Sequence, residues 1–207
     1  MTGSLDAPNP GGAAAGLGRL CLLGGGVRSG KSSFALELAQ KASPRRYFVA
    51  TAEAGDAEMA ERIARHRRER GADFQTLEAP LALGPALERC EPGAAVVIDC
   101  LTLWLSNQLL TGADHEAILE RLQQAIGLGL TRRLQLFVVA NEVGLGIVPD
   151  SALARSFRDL AGYAHQRLAA RADSIYFAAL GVMLRLSPPP LALVTPSHAP
   201  TAATAER

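Results

Sequence analysis

A glycine-rich octapeptide is the clearest chemical signal in the chain. Residues 25–32 read G-x-x-x-x-G-K-S, the pattern of a phosphate-binding loop. Glycines let the backbone turn tightly, so that several N–H groups can point at one anion. Lys31 is placed to reach the β- and γ-phosphates of a nucleoside triphosphate, and the Ser32 hydroxyl is placed to ligate Mg²⁺. The pattern predicts a nucleotide site, against the alternative of a glycine-rich turn that precedes Lys-Ser by chance.

The flanking residues predict the elements that such a loop needs. Leu20–Leu23 is a short apolar run, typical of a buried parallel strand. Ser33–Ala42 carries apolar residues at helical spacing, so the loop lies between a strand and a helix. The start of that helix adds a partial positive charge. We therefore expect the whole loop to bind phosphates: Gly25, Gly26, Val27, Arg28, Ser29, Gly30, Lys31 and Ser32.

A second candidate is the acid that ends a buried strand. Ala94–Asp99 is an apolar run that closes on a carboxylate. P-loop proteins hold Mg²⁺ through an acid at such a position, together with the hydroxyl of the loop. The alternative is an ordinary aspartate that caps the next helix. With the P-loop upstream, we favour a metal site made of Ser32 and Asp99.

A predicted helix between Asp56 and Gly71 carries a dense run of arginines around His66. Three interpretations of residues 62–70 stay open: a solvated helix face, a nucleic-acid patch, or a phosphate clamp beside the P-loop. The balanced net charge and the lack of interleaved aromatic residues count against nucleic acid. A lone histidine is usually an ordinary polar residue. A neutral imidazole can nevertheless attack phosphorus, and neighbouring arginines disfavour its protonation.

Composition limits the class of protein. The chain has 207 residues, 48% of them hydrophobic, and a formal net charge of +1, which gives no general attraction to nucleic acid or to anionic membranes. It shows no bilayer-spanning apolar stretch, no signal peptide and no C-x-x-C pair among its three cysteines, so we expect a cytoplasmic protein. We expect one catalytic domain at 19–186, between disordered tails at 1–18 and 187–207.

Strand and helix patterns alternate through this domain. Further strands are predicted at Arg46–Thr51, Asp73–Leu77 and Leu134–Ala140, and helices at 81–90, 101–110, 116–130 and 151–172. The last two strands, 174–179 and 182–186, read as a hairpin hinged at Gly181. The pattern predicts an α/β fold of the P-loop NTPase (RecA-like) type, a three-layer sandwich with a mostly parallel sheet and a C-terminal edge hairpin.

Four segments in this order carry a more specific signal: GGGVRSGKS, YFVATAEAGDAEMAERIARHRRER, VVIDCLTLWLSN and VVANEVGLGIVPDSALARSFRDLAGYAHQRLA. Together they resemble the bifunctional adenosylcobinamide kinase / adenosylcobinamide-phosphate guanylyltransferase family of cobalamin biosynthesis, over residues 20–186. The resemblance implies two activities. A nucleoside triphosphate first phosphorylates the aminopropanol hydroxyl of adenosylcobinamide. GMP is then transferred from GTP to that phosphate, which gives adenosylcobinamide-GDP.

The resemblance also implies roles for individual residues. His66 matches the histidine that carries GMP covalently in the family, and with Lys31 it makes the expected catalytic pair. Beyond the P-loop, contacts to GTP are implied at Ala50, Thr51, Ala52, Arg67, Arg68, Glu69, Arg70, Glu78 and Asp99. The implied cofactor is Mg²⁺, the implied partners are adenosylcobinamide, GTP and ATP, and the implied assembly is a homotrimer.

One position departs from the family pattern. His165 stands where an asparagine is expected before Gln-Arg-Leu, and we expect it to be structural or to face the corrinoid. Four further residues are candidates for the corrinoid side of the site: Asn141, Glu142, Arg155 and Arg158. The main alternative function is a P-loop kinase of another small hydroxylated metabolite, without nucleotidyl transfer. A nucleic-acid-dependent ATPase is the third.

Overall fold

The computed structural model describes residues 17–52 and 73–194, which contain eight strands and five helices. The strands are β1 (Arg19–Gly25), β2 (Arg46–Ala50), β3 (Gln75–Glu78), β4 (Ala95–Asp99), β5 (Gln135–Val139), β6 (Ser174–Ala179), β7 (Val182–Ser187) and β8 (Ala192–Val194). The helices are α1 (Lys31–Ala42), α2 (Leu83–Glu88), α3 (Leu101–Leu110), α4 (His115–Thr131) and α5 (Ala152–Ala169). The helix predicted between Asp56 and Gly71 lies outside the described residues.

All eight strands form one sheet, in the order β3-β2-β4-β5-β1-β6-β7-β8. The six strands from β3 to β6 run parallel, whereas β7 and β8 are antiparallel to their neighbours. Because parallel strands share a direction, β1 to β5 all end at one edge of the sheet, where open α/β sheets bind ligands. The predicted fold class is confirmed, including the hairpin of β6 and β7.

Helices cover both faces of the sheet. One hydrophobic core joins alternate strand residues, such as Leu22 and Ile98, with α2, α3, α4 and α5. A second core joins the other strand residues, such as Leu23 and Val97, with the Phe34 side of α1. Strands that are buried on both faces read as nearly continuous apolar runs, which is why β1, β4 and β5 were recognisable in the sequence. None of the helices in the described ranges is long and apolar enough to cross a membrane.

Local side chains fix where three of the helices that pack on the first core begin. The Asp114 carboxylate accepts a hydrogen bond from Ala117 N at 2.8 Å and caps α4. Ser151 caps α5 through Ala154 N, so this helix begins at Ala152, one residue after the predicted start at 151. Cys100 Sγ accepts from Leu103 N at the start of α3. Capping groups satisfy N–H groups that have no partner within the helix.

Both tails were placed wrongly where they meet the domain. Gly18 is buried, and its N–H donates to Leu130 O at 2.7 Å, so the packed chain begins before residue 19. The segment expected to be a tail from 187 onward instead turns through Pro188–Pro190 and returns as β8, which pairs with β7. The proline-rich composition suggested disorder, but the open edge of β7 gives Ala192–Val194 a partner for its backbone groups.

Removal of β8 tests whether this strand stabilises the sheet. A chain ending at Ser187 should unfold at a lower temperature than a chain ending at Val194, because β7 loses the hydrogen bonds that β8 makes to it. A loss of about 1–2 kcal/mol would lower Tm by roughly 2–8 °C. Differential scanning calorimetry of the two truncated chains measures the difference. Equal melting temperatures would mean that β8 adds no stability.

Candidate active site

The P-loop begins in a place where only glycine fits. Gly25 is the last residue of β1 and pairs with Ala178 of β6. Its φ is +136°, and a Cβ added there would lie 2.3 Å from Ala178 O. Glycine adopts this conformation without strain and leaves room for the neighbouring backbone. The close approach of β6 therefore explains the first glycine of the motif.

The loop then delivers Lys31 as the first residue of α1. Gly30, the residue before the helix, has a φ of +89° and carries no side chain that could cap the first turn. The helix start therefore offers N–H groups and a partial positive charge to an anion. The Lys31 side chain is 5% exposed, and its ammonium donates to Gly26 O and, at 3.1 Å, to Ser29 Oγ. Its charge is thus held inside the loop.

The acid at the end of β4 lies at the same edge as the P-loop. Asp99 is half-buried, and β4 is separated from β1 by β5 alone. Burial lowers the pKa of Lys31, while Cys100 and then Asp99 oppose that shift. In the sheet β4 lies two strand spacings, or about 10 Å, from β1, so the two charged residues that the sequence singled out on β4 and α1 are at the same edge of the sheet.

A buried hydroxyl fixes the end of β4. Thr51 is fully buried; its Oγ1 donates to Cys100 O at 2.7 Å and accepts from Cys100 N at 2.8 Å. The side-chain amide of Asn107 on α3 then donates to Thr51 O at 2.9 Å and to Pro80 O at 3.1 Å. These four bonds tie the segments that follow β2, β3 and β4 to one another. We call Thr51, Cys100 and Asn107 the strand-end brace.

The brace changes the expectation for the segment Ala50–Ala52. The side chain of Thr51 is buried and is hydrogen-bonded to the Cys100 backbone. It therefore holds the end of β4 in position and does not face a ligand directly. Ala50 and Ala52 are partly exposed on either side of it. Sequence reasoning missed Asn107 as a residue of the site. The quoted segment VVIDCLTLWLSN ends on it, but nothing local reveals a partner 56 residues away.

The segment after β5 runs between the P-loop and β4. Asn141 N donates to Thr102 Oγ1 at 2.7 Å, and Glu142 N donates to Gly25 O at 2.9 Å. At the other end of the segment, Arg155 Nη1 donates to Pro149 O and to Asp150 O. Asn141 and Glu142 therefore lie beside the phosphate-binding loop, whereas the Arg155 guanidinium anchors the backbone of residues 149–150.

The two remaining candidates, His165 and Arg158, lie on α5. His165 Nδ1 lies 4.0 Å from Glu142 Oε2, and its side chain is 20% exposed. Burial lowers the pKa of His165, and the Glu142 carboxylate opposes that shift. Its Nε2 is buried and has no hydrogen-bond partner among the described residues. Arg158 pairs with its neighbour Asp159 at 3.9 Å. The burial of His165 is compatible with the structural role expected of it, and the expected place of Arg158 on the corrinoid side stays a prediction.

Not every expected site residue comes near the P-loop. Glu78 is exposed at the end of β3, four strand spacings or about 19 Å from β1. Its expected contact with GTP stays a prediction. The remaining residues of the expected site lie outside the described residues, and their roles stay predictions as well: His66, Arg67, Arg68, Glu69 and Arg70.

The donor set at this edge suits Mg²⁺ that arrives with a triphosphate. The Ser32 hydroxyl and the Asp99 carboxylate are oxygen donors, which Mg²⁺ prefers, and both are partly exposed. Within residues 17–52 and 73–194, no group of three His, Cys, Asp or Glu side chains could hold a metal ion alone. In nucleotide sites Mg²⁺ commonly uses one or two protein ligands, with phosphate oxygens and water as the others.

A buried lysine at the turn from β1 into α1, in a sheet of this order, defines a P-loop nucleoside-triphosphate-binding protein. Comparison of the sequence with known proteins shows which family of that class the chain belongs to. The family model of cobinamide kinase / cobinamide phosphate guanyltransferase matches residues 21–186, and the chain belongs to this family. The resemblance seen in the four sequence segments is thereby confirmed.

Curated relatives agree with the family. The chain is 42% identical over 177 residues to the bifunctional adenosylcobalamin biosynthesis protein CobP of Pseudomonas aeruginosa, covering 82% of this chain and 98% of the relative. It is 34% identical over 180 residues to the CobU protein of Salmonella typhimurium, covering 81% and 99%. Among solved structures, an ATPase of a bacterial type III secretion system superposes with a TM-score of 0.50 at 12% identity, covering 79% of this chain and 52% of that one. This last likeness concerns the fold alone.

Substitution of the first loop glycine tests the close approach of β6. We expect Gly25→Ala to lower the free energy of unfolding by at least about 1–3 kcal/mol, because alanine is strained at this φ and its Cβ meets Ala178 O. Urea unfolding measures the loss. Gly26→Ala is the matched control, since a Cβ there meets no heavy atom within 4 Å. Equal losses in the two variants would contradict the steric argument.

Substitution of Thr51 tests the strand-end brace. Thr51→Val keeps the shape but leaves the buried N–H and carbonyl of Cys100 without their partner, so we expect a loss of about 2–4 kcal/mol in the free energy of unfolding. Thr51→Ser keeps the hydroxyl and should cost only about 1 kcal/mol for the lost methyl group. Denaturant unfolding compares the two variants. If serine is as damaging as valine, the hydrogen bonds are not the cause.

Proposed function

We propose that this protein phosphorylates adenosylcobinamide and then converts the product to adenosylcobinamide-GDP through a GMP-histidine intermediate at His66. The observation that carries the proposal is the family match over residues 21–186, on a chain whose P-loop lysine is buried at the ligand edge of the sheet. Its curated relatives are named as bifunctional proteins of adenosylcobalamin biosynthesis. Both activities use nucleoside triphosphates, which the P-loop at this edge of the sheet is suited to bind.

The kinase step needs a held triphosphate and a nearby alcohol. The loop N–H groups and Lys31 bind the β- and γ-phosphates, and positive charge there stabilises the negative charge that develops during transfer. The aminopropanol hydroxyl of adenosylcobinamide attacks the γ-phosphorus. Its proton is released, the bond from that phosphorus to the β-phosphate oxygen breaks, and a nucleoside diphosphate leaves. Either ATP or GTP satisfies this chemistry.

Guanylyl transfer directs a different nucleophile at a different phosphorus. A ring nitrogen of His66 attacks the α-phosphorus of GTP, and pyrophosphate leaves. A phosphate oxygen of adenosylcobinamide phosphate then attacks the same phosphorus, and the histidine nitrogen leaves. The arginines at 67, 68 and 70 are suited to hold phosphate oxygens during both displacements. Two such displacements regenerate the free histidine.

Ser32 and Asp99 would hold Mg²⁺ on the nucleotide, where the ion neutralises charge on the departing phosphates. By family resemblance we further propose a cytoplasmic homotrimer that takes only small-molecule substrates. The three cysteines of the described residues, Cys21, Cys90 and Cys100, are buried free thiols, and burial raises the pKa of Cys21 and Cys90 to about 12. Buried thiols of this kind are poor nucleophiles, so they do not compete with His66.

Labelled GTP distinguishes the two activities. The protein is incubated with Mg²⁺ and GTP labelled at the α-phosphate, then denatured, and the bound label is counted. We expect label that survives base, is lost in acid and is absent from His66→Ala, which identifies a phosphoramidate. His115→Gln is the matched control: His115, the first residue of α4, contacts Ser156 of α5 at 2.7 Å, and its replacement should leave the label in place.

A second label completes the test. γ-Labelled ATP or GTP with cobinamide reports the kinase step independently of His66. Transfer of the γ-phosphate without any α-label on the protein would reduce the protein to a kinase and would reject the covalent intermediate. Label retained in His66→Ala would reject His66 as the nucleophile.

A further inference from the structure

We propose that residues 144–148, named here the apolar loop, form the surface on which the corrin ring of the acceptor substrate docks. Three of the five residues in this loop are large and apolar: Leu145, Ile147 and Val148, which are 83%, 97% and 57% exposed. The inference rests on the proposed function, because it assigns a binding surface to the substrate of that function.

The apolar loop starts directly beside the phosphate-binding loop. Ala140 N donates to Leu23 O, and Glu142 N donates to Gly25 O, both at 2.9 Å. The loop therefore leaves the sheet next to the first glycine of the P-loop. An acceptor hydroxyl must come within about 3–3.5 Å of the phosphorus it attacks. The body of the acceptor must consequently rest on a surface next to the P-loop, and the apolar loop is such a surface.

The backbone of the loop is held at both ends. At its first residue, Gly144 N donates to Glu142 Oε1 at 2.6 Å, and just before it Asn141 N donates to Thr102 Oγ1. After it, Arg155 Nη1 donates to Pro149 O at 2.9 Å and to Asp150 O at 2.6 Å. These hydrogen bonds hold the backbone of the segment in place. Its apolar side chains, by contrast, are exposed and do not pack in the hydrophobic core. The exposed side chains are in place to contact something else.

The chemistry of these side chains selects among the substrates. A triphosphate is a hydrated anion, which binds to N–H groups and cations rather than to leucine and isoleucine. A corrin ring carries methyl and methylene groups over its faces and amide arms around its rim. Burial of its apolar faces against Leu145 and Ile147 would remove apolar surface from water, which favours binding. The acceptor is therefore the substrate that matches the apolar loop.

A competing occupant is a second copy of this chain. Clustered exposed apolar residues also mark protein interfaces. The hydrogen bond from Glu142 to Gly25 favours the acceptor, since it places the loop at the reacting phosphates rather than on an outer face. The subunit contact is treated below as an outcome that would overturn the proposal.

Direct binding of a corrinoid tests the docking surface without catalysis. Dicyanocobinamide absorbs visible light, and equilibrium dialysis against the full chain without nucleotide measures its Kd. We expect Leu145→Ser and Ile147→Ser each to weaken binding about tenfold, the scale set by the loss of one buried aliphatic side chain. Leu193→Ser is the matched control. Leu193 is 72% exposed on β8, three strands from β1, and its replacement should not change the Kd.

Two further measurements make each outcome decisive. The α-label from GTP should be unchanged in the loop variants, because the apolar loop does not hold the nucleotide. The mass of the assembly should also be unchanged. An unaltered Kd in the double variant Leu145→Ser/Ile147→Ser would overturn the docking surface alone, and so would a smaller assembly, since it would identify a subunit contact. Failure of the unsubstituted chain to bind the corrinoid would overturn the proposed function itself, and the inference with it.

Discussion

The buried ammonium of Lys31 is the constraint on which the rest of the site depends. Within the described residues it is the one buried side chain that carries a charge, and a buried charge is costly unless it is paired. The loop meets this requirement with Gly26 O and Ser29 Oγ, and Asp99 adds a favourable field from β4. Three features can be understood as conditions for holding that one charge: the tight loop, the close contact between Gly25 and β6, and the position of β4.

A parallel sheet brings the other groups to this charge, but it does not fix them there. Strand direction alone sends β1 to β5 to a common edge, while the residues that follow each strand remain free to diverge. In this protein Thr51 and Asn107 bind the backbone beyond three strands, and Thr102 binds the start of the segment after β5. Buried polar networks of this kind give rigidity when every member is satisfied. The same bonds therefore support folding and position the site.

The sequence predicted what depends on local pattern. The P-loop, Asp99 and the strands β1, β4 and β5 were recognisable because glycine spacing and apolar runs are local signals. The strand-end brace was not, since Thr51 and Cys100 are 49 residues apart and either would look ordinary alone. Strand β8 was missed because its prolines suggested a tail, whereas its pairing depends on the free edge of β7. His66 depends on the family resemblance, because its role comes from chemistry that no local pattern encodes.

One P-loop can serve two reactions if the nucleophile changes while the triphosphate site stays the same. In the proposed mechanism, the γ-phosphorus must face the acceptor hydroxyl in the kinase step, and the α-phosphorus must face His66 in the transfer step. Residues 53–72, which carry His66, follow directly on Ala52, just after the end of β2. In the sheet, β4 and β5 lie between β2 and β1, the strand that leads into the P-loop. Asn107 and Thr51 fix the chain where that segment departs. The acceptor side begins instead at β5, next to Gly25. The segment that carries the proposed nucleophile His66 and the segment proposed to hold the acceptor therefore follow different strands, β2 and β5.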